Sequence, residues 1–158
     1  LLYIYLCSIS SGVNVKIMIS VKANNFTETI EYAKKLGSSL KGGEIIAYFG
    51  GLGMGKTTFT SGLCEGYGIN AEVSSPTFAL VNEYGNGNKK IYHFDMYRIE
   101  NEDQLYNIGF YDYLDYDGIC AIEWAENIKD FFSENTVTIK FEKLGETVRK
   151  ITVEGDNF

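Results

Sequence analysis

The sequence predicts an α/β fold, a mostly parallel central sheet with flanking helices and antiparallel hairpins added around it. Three observations predict it. Short apolar runs of strand length alternate with helical patterns in the middle of the chain, the mark of strand–helix–strand crossovers. Two pairs of strand-like segments are separated by short glycine-containing turns, too short for a crossover and therefore hairpins. The apolar run EIIAYF at 44–49 leads through a glycine-rich loop straight into a helix.

The chain has 158 residues, room for one domain with one core. Residues 18–158 are read as that domain. Residues 1–17, LLYIYLCSISSGVNVKI, open with six apolar residues, too short a run to span a bilayer and without the basic flank of a secretory signal. Met18 opens MISVKANNF as a natural start would, so 1–17 are expected to be a non-native upstream extension. MISVKA alternates as a strand. NNFTETIEYAKKLG reads as a helix, capped by Asn25 with Glu28 three residues on, striped by Ile30, Ala33 and Leu36 and stopped by Gly37. EIIAYF is a buried strand, followed by a helix over 56–67. TFALVNEY and KIYHFDMYR form a hairpin across GNGN at 85–88. NEDQLYNIG is a short helix between an Asn cap and Gly109. GICAIEW is another buried strand, and NTVTIKFE and ETVRKITV pair across KLG.

Composition excludes several classes. Hydrophobic residues at 45% and charged residues at 22% are those of a globular protein. A net charge of −7, with only Arg98 and Arg149 as arginines, argues against gripping nucleic acid unaided, because that affinity comes from Lys and Arg on phosphates. Cys7, Cys64 and Cys120 lie far apart, with no C-x-x-C pair, and His93 is the one histidine, so a zinc site is not expected. Reduced thiols fit a cytoplasmic protein with no membrane attachment.

Gly50 to Thr57 matches G-x-x-x-x-G-K-[ST] in full. Glycines let the backbone wrap with its N–H groups inward, an anion nest at a helix N-terminus. The expected nucleotide-binding set is Gly51, Leu52, Gly53, Met54, Gly55, Lys56, Thr57 and Thr58. Lys56 reaches the β- and γ-phosphates and the Thr57 hydroxyl ligates Mg²⁺. The alternative is a plain glycine turn, but the strand before and the helix after are the context a P-loop requires. The fold is therefore read as P-loop NTPase-like, with ATP and Mg²⁺ as ligands.

Further polar groups cluster by pattern. GICAIEW ends in Glu123, where open α/β sheets bind ligands, and Glu123 is the second metal candidate; the alternative is an ordinary strand-end carboxylate. In HFDMYR, His93 and Asp95 share one strand face. His93 reads either as a core histidine or as part of the site, and Asp95 either as a strand cap or as a group that reaches the metal or orients a water. Trp124, the single tryptophan, reads alone as a core aromatic. In VSSPTF, Pro76 holds Ser75 extended and presents Thr77 from a stiff turn, either a plain loop or one that senses the γ-phosphate. NKKI at 88–91 lacks the Asp of a guanine clamp, which leaves ATP. A small-molecule kinase would need more arginines than this chain has. A slow ATPase and a nucleotide-gated binding module both fit its few catalytic groups.

GGLGMGKTTFTSGL, VSSPTFALVNEY, IYHFDMYRIENEDQLYNIGFYDYL and GICAIEW, in this order and spacing, resemble the TsaE family, also called YjeE, over about residues 22–153. The resemblance implies a bacterial P-loop ATPase of tRNA threonylcarbamoyladenosine biosynthesis. It implies work with TsaB and TsaD, which install the group on adenosine 37 of tRNAs reading codons that begin with A. The ATPase is not itself the transferase, and it meets tRNA through its partners. Lys56 matches the phosphate-binding lysine, and Thr57 and Glu123 the magnesium positions. Asp95 matches the residue needed for hydrolysis, and Ser75, Pro76 and Thr77 match the switch-like loop. Asp95, Glu123 and Thr77 are thus the catalytic candidates, and Thr29 matches a position near adenine. The chain departs from the family's GDLGAGKT at Gly51, where Asp is usual, and at Met54, where Ala is usual. The missing carboxylate bears on hydrolysis rate rather than on binding.

Overall fold

The computed structural model describes residues 2–7 and 16–156. Its elements are β1 (Leu2–Cys7), β2 (Lys16–Ala23), α1 (Phe26–Ser39), β3 (Ile45–Phe49), α2 (Lys56–Tyr67), β4 (Val81–Asn86), β5 (Lys89–Asp95), α3 (Glu102–Asn107), α4 (Phe110–Leu114), β6 (Ile119–Glu123), a 3₁₀ segment (Ala125–Phe131), β7 (Val137–Lys143) and β8 (Arg149–Gly155). One eight-stranded sheet runs β1-β2-β8-β7-β3-β6-β5-β4. The central strands β7, β3, β6 and β5 are parallel. β4 adds antiparallel at one edge, and β8, β2 and β1 add antiparallel at the other. The expected class, a parallel centre with hairpins added, is the one observed.

Both faces of the sheet are covered, as buried parallel strands require. Ile46, Tyr48, Ile91, Ala121 and Ile139 pack with Ala33, Leu36, Phe59 and Leu63 of α1 and α2. Tyr92, Phe94, Met96 and Ile122 pack on the other face with Leu105, Phe110 and Ile128. The split follows from strand alternation, since Ile91 and Tyr92 point to opposite faces. Tyr48, Phe59 and Phe141 meet edge-to-face at centroid distances of 5.9, 5.8 and 5.5 Å, an arrangement aromatic quadrupoles favour. These rings join β3, α2 and β7 around the strand that feeds the glycine-rich loop.

Several boundaries differ from the sequence reading. α1 does not stop at Gly37 but runs to Ser39. Gly37 is there for closeness: a Cβ on it would lie 2.5 Å from the Leu63 carbonyl oxygen of α2. Gly62 of α2 meets the Ile30 carbonyl at the same distance, so the two helices touch backbone to backbone. The first hairpin turns at Gly87 and Asn88, with Asn86 opposite Lys89, and residues 77–80 form a turn instead of strand. Gly109 closes α3 in the left-handed region (φ 70°) and at once starts α4, which hydrophobic periodicity over so few residues does not reveal. The 3₁₀ segment was likewise missed. The second hairpin turns across residues 144–148, a wider turn than KLG. Part of the segment read as an upstream extension forms β1, which pairs with β2 from Leu2↔Val21 to Cys7↔Lys16; residues 8–15 lie outside the described residues.

Candidate functional site

The carboxyl ends of β3, β5 and β6 meet at one edge of the parallel sheet, where a doubly covered α/β sheet opens a crevice. A cleft of about 580 Å³ lies there, lined among others by Gly55, Lys56, Thr57, Asp95, Glu123 and Trp124. A second hollow, about 640 Å³, lies between α1 and β2, and none of the motif residues lines it.

The loop between β3 and α2 supplies one wall. Gly50, Gly53 and Gly55 have φ of 145°, 70° and 96°, a backbone path that side chains with a Cβ resist. Lys56 is buried, with its Nζ donating to the carbonyls of Gly50 at 2.7 Å and Gly51 at 2.8 Å. The same ammonium lies 4.4 Å from the Trp124 ring centroid, a cation–π contact. Burial pushes the Lys56 pKa below its ordinary value, and Glu123, Glu126 and Asp95 pull it partly back. Leu52, Gly53, Met54, Thr57 and Thr58 also line the cleft. Gly51 contributes through its carbonyl to Lys56.

The opposite wall carries the acids. Asp95 and Glu123 end neighbouring parallel strands and stand in register as Cα partners, so both side chains leave the same face. Thr57 Oγ1 donates to Glu123 Oε1 at 2.8 Å, across from α2 to β6. His93 Nε2 contacts the same oxygen at 2.8 Å, from a fully buried ring. His93 is therefore both a core residue and the group that orients Glu123. Burial pushes the Glu123 carboxyl up, but the bond and charge of His93, the Thr57 hydroxyl and Lys56 outweigh it and hold it below its ordinary value. Asp95 accepts from Thr77 Oγ1 at 2.9 Å and from the Tyr97 N–H at 2.9 Å. Thr77 also shares a 2.7 Å hydroxyl contact with Ser75. The turn after buried Pro76 closes with the Leu80 N–H on the Pro76 carbonyl, and Leu80 (φ 67°) then accepts from the Asp95 N–H. Leu80 and Trp124 (φ 57°) are the non-glycine residues of positive φ among the described residues. Such a conformation costs about 1–2 kcal/mol for an L-residue; Trp124 lines the cleft, and Leu80 is bonded to Asp95, which does.

The structure thus gathers the P-loop residues, Thr77, Asp95 and Glu123 around one space. Thr29 stands apart: its side chain is buried and its hydroxyl donates to the Asn25 carbonyl at 3.3 Å. From the same helix it is Phe26, exposed by half of its surface, that lines the cleft. Sequence reasoning missed Phe26, because at i, i+4 and i+7 with Ile30 and Ala33 it falls on the helix's apolar stripe and reads as core. Tyr97 was missed too; its ring lies 4.9 Å from that of Trp124. Trp124 packs against the second core, as read, and also lines the cleft, with its ring over Lys56.

Fold and site together define the class: a P-loop protein, with a strand–glycine loop–helix cradle facing two strand-end carboxylates. The family model described as threonylcarbamoyl adenosine biosynthesis protein TsaE matches residues 23–151. The tRNA threonylcarbamoyladenosine biosynthesis protein TsaE of Bacillus subtilis is 38% identical over 128 residues, covering 81% of this chain and 80% of its own. The protein of that name from Treponema pallidum is 36% identical over 126 residues, covering 80% and 93%. Among solved structures, Bacillus subtilis YdiB superposes with a TM-score of 0.74 at 31% identity, covering 89% of this chain and 86% of its own. The chain belongs to the TsaE family, a family of tRNA threonylcarbamoyladenosine biosynthesis.

Proposed function

We propose that the chain binds Mg²⁺·ATP in this cleft and hydrolyses it slowly, as the ATPase component of tRNA threonylcarbamoyladenosine formation, acting with TsaB and TsaD homologues. The observation that carries the reading is the convergence of Thr57 and Asp95 from separate elements on a P-loop, with Thr57 bonded to Glu123 at 2.8 Å. Among the described residues, no helix is long and apolar enough to cross a membrane.

The donor set fits magnesium. A hydroxyl and a carboxylate are hard oxygen ligands, and so small a protein share suits an ion that keeps waters and phosphate oxygens in its shell. When bound, the ion would neutralise charge on the transferring phosphoryl group. The residues of the chain do the rest. Lys56 exchanges the carbonyls of Gly50 and Gly51 for phosphate oxygens. The loop N–H groups cradle the phosphates. His93 keeps Glu123 aimed at Thr57. Asp95 accepts a proton from, or orients, the attacking water, and Thr77 ties the switch-like loop to that carboxylate. Phe26 and Tyr97 offer aromatic faces at the mouth for the adenine, a role that the family resemblance suggested for Thr29.

ATP turnover by the purified chain, alone and with TsaB and TsaD homologues and tRNA, tests the proposal. Turnover that rises with the partners supports it. Phosphoryl transfer to a small acceptor without partners would replace it by a kinase reading. Binding without turnover in any mixture would replace it by a nucleotide-gated binding module.

A further inference from the structure

Arg149 opens β8 and is buried, with 5% of its surface exposed. Its Nη1 donates to the carbonyls of Gly145, Glu146 and Val148, each at 3.1 Å, and so ties the β7–β8 turn. Its Nη2 reaches the carbonyl of Gly53 at 3.1 Å, in the middle of the phosphate loop. Its Nε–H has no partner among the described residues. A planar fork of this kind holds two carbonyl groups at a fixed angle, which a single ammonium does not. The peptide is planar and trans, so its C=O and N–H point in opposite directions. Holding the Gly53 carbonyl toward Arg149 therefore turns the Met54 N–H away from β8. Met54 itself lines the cleft.

A second contact backs the loop from the same hairpin. Gly50 has φ 145°, and a Cβ there would lie 3.1 Å from both the Cβ and the carbonyl oxygen of Phe141 on β7. The loop is thus braced at Gly50 by β7 and at Gly53 by the start of β8. A residue serving the turn alone would need only Nη1, and a buried guanidinium carries a desolvation cost that an aliphatic side chain does not.

The geometry points to Arg149 as a positioning residue for phosphate binding. It touches no nucleotide and acts by holding the Gly53 peptide in the orientation the anion nest requires. This rests on the nucleotide reading above. The test is calorimetric titration of the full chain with Mg²⁺·ATP, comparing wild type with Arg149→Met at a temperature where thermal melts show both folded. Affinity should fall about five- to tenfold, the effect of one hydrogen bond lost from the loop. Amide hydrogen exchange over residues 50–56 in the nucleotide-free proteins should quicken in the variant. A residue serving only the hairpin would lower the melting temperature and leave both readouts unchanged, and that result overturns the inference. If Arg149→Met does not fold, Arg149→Lys takes its place in the same comparison. Failure of both to fold assigns the side chain to the hairpin and overturns the inference as well. A wild-type chain that binds no nucleotide sinks the nucleotide reading itself, and this one with it, before any variant is compared.

Discussion

Lys56→Met tests the cradle while keeping most of the aliphatic stem. Without nucleotide, the substitution removes two charge-assisted bonds, to the carbonyls of Gly50 and Gly51. It also removes a charge that burial disfavours, as the lowered pKa of Lys56 records. Both carbonyls belong to half-buried residues and can regain water. The two effects oppose each other, so stability should change by no more than about 1 kcal/mol. With nucleotide the balance differs. The wild-type ammonium exchanges neutral acceptors for anionic oxygens, a gain of roughly 1.5–3 kcal/mol, and Met offers nothing in return. ATP affinity should therefore fall about ten- to a hundredfold. Trp124 is the single tryptophan and lies 4.4 Å from Lys56 Nζ, so its emission should report binding directly. Wild type should titrate with Mg²⁺·ATP, and the variant only at far higher concentration. An unchanged midpoint in a folded variant would remove Lys56 from the site and refute the reasoning.

Asp95→Asn keeps an oxygen for the Tyr97 N–H and an amide for the Thr77 hydroxyl, so the loop should stay docked. Turnover should fall about 10²–10⁴-fold with ATP affinity nearly unchanged; loss of the folded state instead would show Asp95 to be only a strand cap. Gly51 has no positive φ, and among the described residues a Cβ on it would meet only Met54 Cε at 3.9 Å, so Gly51→Asp is accommodated. It should raise partner-stimulated turnover without tightening ATP, and equal rates at saturating Mg²⁺·ATP would show the position to be silent. His93, the Thr57 hydroxyl and Lys56 hold the folded Glu123 carboxyl below its ordinary value, so the stability from its pairing is complete above that ordinary value and is lost as pH falls through the folded one. Melting temperatures between about pH 6 and pH 3 should show a shallower acid fall for Glu123→Gln than for wild type; parallel curves would deny Glu123 that contribution.

What the sequence by itself determined was local. The glycine spacing of the P-loop, the apolar runs of β3, β5 and β6 and the Asn25 and Asn101 caps are properties of consecutive residues, and the two cap side chains accept from the Glu28 and Gln104 N–H groups as read. Alternation along β5 was enough to put His93 and Asp95 on one face, because side-chain direction in a strand has period two. Only the tertiary structure decided which distant groups meet. The register of β5 on β6 aligns Asp95 with Glu123, and a shift of one residue would send the acids to opposite faces. Gly37 reads as a helix stop until α2 arrives, since nothing in its neighbours tells of a backbone 2.5 Å from where its side chain would be. Trp124 reads alone as a core aromatic until the turn after β6 brings it to Lys56, and the choice that His93 leaves open is settled only by its contact with Glu123 from β6. Arg149 is a further case: 96 residues separate it from Gly53, and contacts between segments that far apart exist only once the sheet has formed.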